Sequence, residues 1–209
     1  MFSRKLNPGL ELRPLLPDDA AALFAVVDAH RASLREWLPW VDATQTVADS
    51  AAYIEGTVRD DKETRAFTCG IWSMGRLAGV IGHNRIDWAN RVGFPAYWIA
   101  PDCAGQGIMT QCCRAVIEHA FAELKLRQLV VAVATGNLRA QKIPLRLGFK
   151  QVSTLKKAEW LHDHHVDHYI YSLAAPNTDR RYSAFSASVL GFRLRQASTD
   201  RQATPPVGA

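Results

Sequence analysis

The chain has 209 residues, 48% of them hydrophobic and 22% charged, a composition that excludes disordered and fibrous classes. Its net charge of +5 is uneven: from Pro176 to Ala209 five arginines face two aspartates, a local +3, and the remaining +2 argues against nucleic-acid binding by the folded part. No apolar stretch approaches the roughly 20 residues of a membrane helix, and MFSRKLNPGLELR lacks a secretory signal's apolar block, so a cytoplasmic protein without membrane contact is expected.

LELRPLL (10–16) reads as a first strand. PDDAAALFAVVDAHRASLREWL follows with acidic residues in its first turn and Leu23, Val26, Val27, His30 and Leu34 at near-helical spacing. TVADSAAYIEGTVRDD reads as the next helix, opened by Thr46 and Asp49 as an approximate capping box. RAFTCGIWS and RLAGVIGHNRID form strands around the turn Met74-Gly75, and the glycines of the second arm predict a bulge or close backbone approach. AYWIA is the central strand, with Pro95 just upstream predicting a bend or bulge.

From Gly107 to Leu124, apolar residues at 112, 113, 116, 117, 120, 121 and 124 predict a long helix packed on a sheet. QLVVAVA is a buried strand, and NLRAQKIPLRLGF a short helix capped by Asn137, kinked at Pro144 and stopped by Gly148. KQVSTLKKAEWL and VDHYIYSL close a hairpin around HDHH. Helices interleaved with strands, and hairpins at both ends, predict an α/β (α+β) fold: a mixed, mostly antiparallel sheet of about six to seven strands with helices on both faces. Residues 1–175 are expected to form this domain, and 176–209 a basic, largely disordered tail with a short helix around Ala187 to Leu194.

The four cysteines, Cys69, Cys103, Cys112 and Cys113, have no zinc-ligand spacing and are expected to be reduced thiols, the adjacent pair acting as small buried hydrophobes. His162, Asp163, His164 and His165 cluster in one turn, where consecutive side chains point different ways, and no metal site is expected there.

CAGQGIMTQC (103–112) joins a strand to a long helix through Gly105 and Gly107. Glycines allow close backbone approach, first-turn amides point outward and the helix dipole favours negative charge, so this is a device for an anion such as a pyrophosphate. The loop resembles motif A of the GNAT superfamily of acyl-CoA-dependent N-acetyltransferases, with Gly107 in the glycine place, Ala104 in the Gln/Arg place and Met109 in the last small-residue place. HRASLREWLPWVD (30–42), YWIAPDCAGQGIMTQ, NLRAQKIPLRLGFK and the terminal Asp167 to Leu173 narrow the resemblance to the RimJ/RimL branch, which acetylates N-terminal amines of ribosomal proteins and other primary amines. It covers about residues 10–173.

The resemblance implies direct transfer of acetyl from acetyl-CoA to an amine. Such a reaction needs a route for the amine proton, a donor for the thioester oxygen and help for the leaving thiolate. The resemblance assigns a free backbone amide to the segment Trp98, Ile99, Ala100, and pyrophosphate binding to the amides of Ala104, Gly105, Gln106, Gly107, Ile108 and Met109, with Thr110 next in the helix. Asn137 would bond the pantetheine arm, a role compatible with capping its helix.

Where the family carries a serine three residues after that asparagine, this chain has Ala140, so the proton donor is water, no group, or a hydroxyl of Tyr97, Ser153 or Thr135. Candidates for the base are Glu159, His83, Asp87 and Asp167, the last more naturally a partner of the hairpin backbone. Trp37 and Trp40 flank Pro39 and either pack behind the helix or wall an acceptor cleft. The expected partners are acetyl-CoA and an amine acceptor, as in a ribosomal-protein N-terminus, and a homodimer is compatible with the sequence. The rivals are a non-catalytic acyl-CoA sensor, acetylation of a small amine such as a polyamine or aminoglycoside, and nucleic-acid binding through the tail.

Overall fold

The computed structural model describes residues 2–176. The expected tail helix around Ala187 to Leu194 lies outside them. Eight strands form one sheet: β1 (Arg4–Asn7), β2 (Leu10–Pro14), β3 (Phe67–Ser73), β4 (Arg76–Asp87), β5 (Val92–Ile99), β6 (Gln128–Ala134), β7 (Lys150–Leu161) and β8 (His164–Ala174). Their order is β1-β2-β3-β4-β5-β6-β8-β7, and every pair is antiparallel except β5 with β6. The sheet is therefore mixed and mostly antiparallel, with one strand more than expected. The extra strand is β1, four residues of alternating exposure joined to β2 by a tight turn in which Gly9 N–H donates to Asn7 Oδ1 at 3.0 Å. So short a run carries almost no periodic signal.

Helices α1 (Ala20–Ala29), α2 (Arg31–Arg35) and α3 (Val47–Lys62) cover one face, and α4 (Ile108–Ala122) and α5 (Leu138–Arg146) the other. The segment after β2 is not one helix: it breaks at His30 (φ −119°, ψ 17°), and Arg31 ties the second piece to the following turn by donating to the carbonyls of Val41 and Thr44, both at 2.7 Å. Helix α3 begins with the expected capping box, Asp49 N–H donating to Thr46 Oγ1 and Thr46 N–H to Asp49 Oδ2. Among the described residues no helix is long and apolar enough to cross a membrane.

Two local features open the sheet. Along β4 the register slips between His83↔Pro95 and Arg85↔Phe94, so Asn84 bulges where Pro95 has no N–H to offer. On the other side of β4, Gly82 lets β3 approach closely, since a β-carbon would fall 2.0 Å from the Phe67 carbonyl oxygen. Beyond the bulge β5 parts from β6: the parallel pairing is limited to Val92↔Gln128 and Gly93↔Leu129, and the rest of β5 runs free on that side.

Candidate active site

The gap between β5 and β6 opens a cavity of about 740 Å³. Tyr97, Ile99, Val131 and Val133 line it from the α4–α5 side of the sheet, and Trp98, Ala96 and Ala132 from the other, so the cavity passes through the sheet. Strand alternation decides which backbone groups face it. Ala100 N–H donates to the Ala78 carbonyl at 2.7 Å, and two-residue alternation along an antiparallel ladder turns Trp98 the same way and leaves the amides of Tyr97 and Ile99 facing the gap. Of the segment expected to offer a free amide, Ile99 does so; Ala100 is 2% exposed and committed to β4.

At one end of the cavity stands the glycine loop. Gly105 (φ 83°) and Gly107 (φ 77°) are both left-handed, and Gly107 is the N-cap of α4, whose first ladder bond runs from Gln111 N–H to the Gly107 carbonyl at 3.1 Å. The amides of residues 105 to 110 precede that ladder. Ala104 lines the cavity, but its amide is bound to the Pro101 carbonyl at 3.2 Å, so the nest starts one residue later than the motif implied. Ile108, Met109 and Thr110 also line the cavity, whereas Gln106 is exposed and its side chain donates to the Asp102 carbonyl.

Sequence reasoning missed the cations opposite this nest. Arg139, Lys142 and Arg146 of α5 line the same cavity, and Arg146 Nη1 donates to Thr110 Oγ1 at 3.3 Å. Their spacing of three and four residues, visible in NLRAQKIPLR, was the signal that one helical face is basic. Glycine amides, a helix N-terminus and three cations converge on one place, and that combination fits a phosphorylated ligand.

Further in, Asn137 caps α5, its Oδ1 accepting from Ala140 N–H at 3.0 Å, and both residues line the cavity. Ala140 presents only a methyl group at the place where the resemblance puts the family's serine. Tyr97 faces the same space: its hydroxyl is buried without a hydrogen-bond partner, and burial, with lesser contributions from Cys113 and Tyr171, pushes the phenol well above its ordinary value of 10. Among the described residues it is the one buried, unpartnered polar side chain lining this cavity. Neither Ser153 nor Thr135 lines it.

The two tryptophans separate. Trp37 lines the cavity and lies against Gly136 in the β6–α5 turn. Trp40 packs on Trp98 with ring centroids 5.8 Å apart and belongs to the core under α1 and α3. Two expected bases are also displaced. His83 is fully buried against Phe67, outside the cavity, and burial, then nearby His119, pushes its imidazole down to about 3, so it is neutral and cannot reach an acceptor. Asp87 stands at the far end of β4 and accepts from Asn90 N–H at 3.0 Å, closing the β4–β5 turn.

Glu159 stands apart from the cavity lining, on β7 beside β8, with its Oε2 3.3 Å from His168 Nε2. His168 pairs with Ala134 across β6 and shares the sheet face of Ile170, the same face as Trp98 and Ala132. Asp167 braces the bulge ahead of Glu159 instead: its carboxylate accepts from Lys157 N–H (2.8 Å) and Lys156 Nζ (2.7 Å). Lys156 comes first among the causes that hold it below the usual carboxylate range. Cys112 is buried, its thiol pushed up to about 12 by burial, and Cys113 is buried beside it. Among the described residues no group of three or more His, Cys, Asp or Glu could hold a metal ion.

A splayed central strand, a glycine nest at a helix N-terminus and a cavity through the sheet define an acetyltransferase architecture. Residues 9–150 match the Acetyltransferase (GNAT) domain, and the chain belongs to that family. It is 31% identical over 177 residues to YdaF of Bacillus subtilis (strain 168), provisionally named as a ribosomal N-acetyltransferase, covering 83% of this chain and 95% of that protein. Over 168 residues it is 29% identical to the ribosomal-protein-serine acetyltransferase of Escherichia coli (strain K12), covering 80% and 94% of the two chains. The fold superposes on RimL, a ribosomal L7/L12 alpha-N-protein acetyltransferase in complex with coenzyme A, with a TM-score of 0.80 at 24% identity, over 83% of this chain and 98% of that one.

Proposed function

We propose that this protein moves an acetyl group from acetyl-CoA to the N-terminal amine of a protein of the ribosomal type. The carrying observation is the cavity that starts at a phosphate-fitting nest and crosses the sheet to an aromatic wall at Trp37. The relatives' names point to ribosomal-protein acceptors.

The nest of residues 105–110, with Arg139, Lys142 and Arg146, would hold the pyrophosphate and any further phosphate, and Asn137 the pantetheine arm. The thioester then lies in the β5–β6 gap, where the Ile99 amide donates to its carbonyl oxygen as negative charge builds there. The amine enters beside Trp37 and attacks the carbonyl carbon; a C–N bond forms, the C–S bond breaks, and one proton leaves nitrogen. Glu159, 27% exposed and paired with His168, takes that proton through water, because it does not line the cavity itself.

Tyr97 stands in for the missing serine as a donor to sulfur. A phenol of ordinary pKa ~10 is a weaker acid than a thiol of ~8.5, so full proton transfer costs about 2 kcal/mol, and burial adds to that. Tyr97 therefore keeps its proton and stabilises the leaving thiolate by a hydrogen bond. This observation favours an enzyme over a silent acyl-CoA sensor.

The test is release of coenzyme A thiol from acetyl-CoA with peptides beginning in Ser or Ala, polyamines and aminoglycosides, alongside calorimetry of acetyl-CoA binding. Turnover with the peptides is expected. Turnover with small amines alone would move the acceptor class, binding without turnover would favour the sensor, and no binding would sink the reading.

A further inference from the structure

We infer that His162 is a positioning residue that straps the β7–β8 hairpin onto the segment carrying Trp37. His162 sits at the hairpin tip in a left-handed conformation (φ 57°). Its Nε2 is 2.7 Å from the carbonyl oxygen of Arg35, a residue 127 positions away in the chain, and its Nδ1 is 3.2 Å from Asp42 Oδ2. Arg35 Nε donates to the other oxygen of Asp42 at 2.7 Å, which closes a three-residue ring. The side chain of His162 is 15% exposed, against 60% for His164 at the start of β8.

A carbonyl and a carboxylate only accept hydrogen bonds. The contact to Arg35 has hydrogen-bond geometry, so Nε2 carries a proton and donates to that carbonyl, while Nδ1 faces the Asp42 carboxylate at ion-pair distance. The surrounding charges are Asp42 and Arg35 in the ring, Asp163 next in the chain and paired with His164 Nδ1 at 2.7 Å, and Arg31, which holds the carbonyls of Val41 and Thr44.

Residues 35 and 42 bracket Trp37, whose ring closes the cavity against Gly136. The strap therefore anchors both ends of the wall that an acceptor amine must pass. The role in acceptor binding rests on the acetyltransferase reading; the strap itself does not.

Two measurements on the full chain separate these claims. Proton–nitrogen correlation spectra of the imidazole rings, assigned by the signal lost in H162Q, should show a proton held on Nε2 of His162; an Nε2 without one overturns the strap, whether or not any amine is acetylated. In steady-state kinetics H162Q should raise KM for the amine roughly five- to tenfold while KM for acetyl-CoA moves less than about twofold. H162R, whose guanidinium can donate to both acceptors, should restore the amine KM. Equal effects on both substrates, or no rescue by Arg from a folded H162Q, would overturn the positioning role.

Discussion

The indole of Trp37 lies across Gly136: a β-carbon on that glycine would stand 3.1 Å from Cη2 and 3.5 Å from Cζ3. The loop after α2 and the β6–α5 turn thus meet over the cavity with no room for a methyl group. Gly136→Ala should push Trp37 outward by a few tenths of an ångström, an overpacking cost of about 1 kcal/mol. We expect KM for the amine to rise roughly fivefold with little change in Tm, because Trp37 is partly exposed and can yield. Paired kinetics and thermal melts check this.

Tyr97 and Ala140 face the same cavity, one with a hydroxyl and no partner, the other with a methyl group. Tyr97→Phe removes an orphaned donor, so Tm should hold or rise. If the hydroxyl serves the leaving thiolate, kcat should fall about 10- to 100-fold with KM nearly unchanged. Ala140→Ser in the same chain places a hydroxyl on the first turn of α5 and should recover part of the loss. Unchanged kcat in Tyr97→Phe would remove Tyr97 from the mechanism.

Gly107 starts α4 at φ 77°, with nothing within 4 Å of a built β-carbon, so space is not what demands glycine. The dihedral is: a left-handed alanine costs about 1–2 kcal/mol. Gly107→Ala should let the nest amides relax away from the ligand and weaken acetyl-CoA binding about tenfold by calorimetry.

Arg13 grips Asp19 through two hydrogen bonds of 2.8 and 3.0 Å, and Leu16 N–H donates to the same carboxylate at 2.8 Å. Burial pushes this carboxyl up, but the hydrogen bonds from Arg13 and Leu16 together outweigh it and hold it below its ordinary 3.8. A lowered carboxylate pKa contributes stability that is fully present above the unfolded value and is lost as pH falls through the folded one. Asp19→Asn should therefore cost about 1 kcal/mol at pH 7, roughly 2–4 °C in Tm, and the difference from wild type should shrink below about pH 4. Thermal melts of both chains from pH 7 to pH 2 check the sign.

Features that depend on a few neighbouring residues were legible beforehand. Thr46 and Asp49 cap α3, Met74 and Gly75 turn the β3–β4 hairpin, Asn137 caps α5, and Pro95 marks the bulge. The loop of Gly105 and Gly107 was readable as an anion nest because positive φ and a helix N-terminus are both local. The basic face of α5 was equally local and was overlooked. Nothing local distinguishes Trp37 from Trp40, or His83 from an exposed strand histidine; their surroundings come from residues 16 to 99 positions away.

The sequence by itself determined the element types, the caps, the glycine nest and the family, since these rest on backbone dihedrals and contacts spanning about four residues. Only the tertiary structure decided that β5 parts from β6 after two pairs, that Tyr97 loses every hydrogen-bond partner while facing the gap, and that His162 reaches Arg35 and Asp42. Those outcomes depend on how a whole sheet twists and which hairpin lands on which loop. That geometry is set by the packing of distant side chains, and no stretch of neighbouring residues carries it.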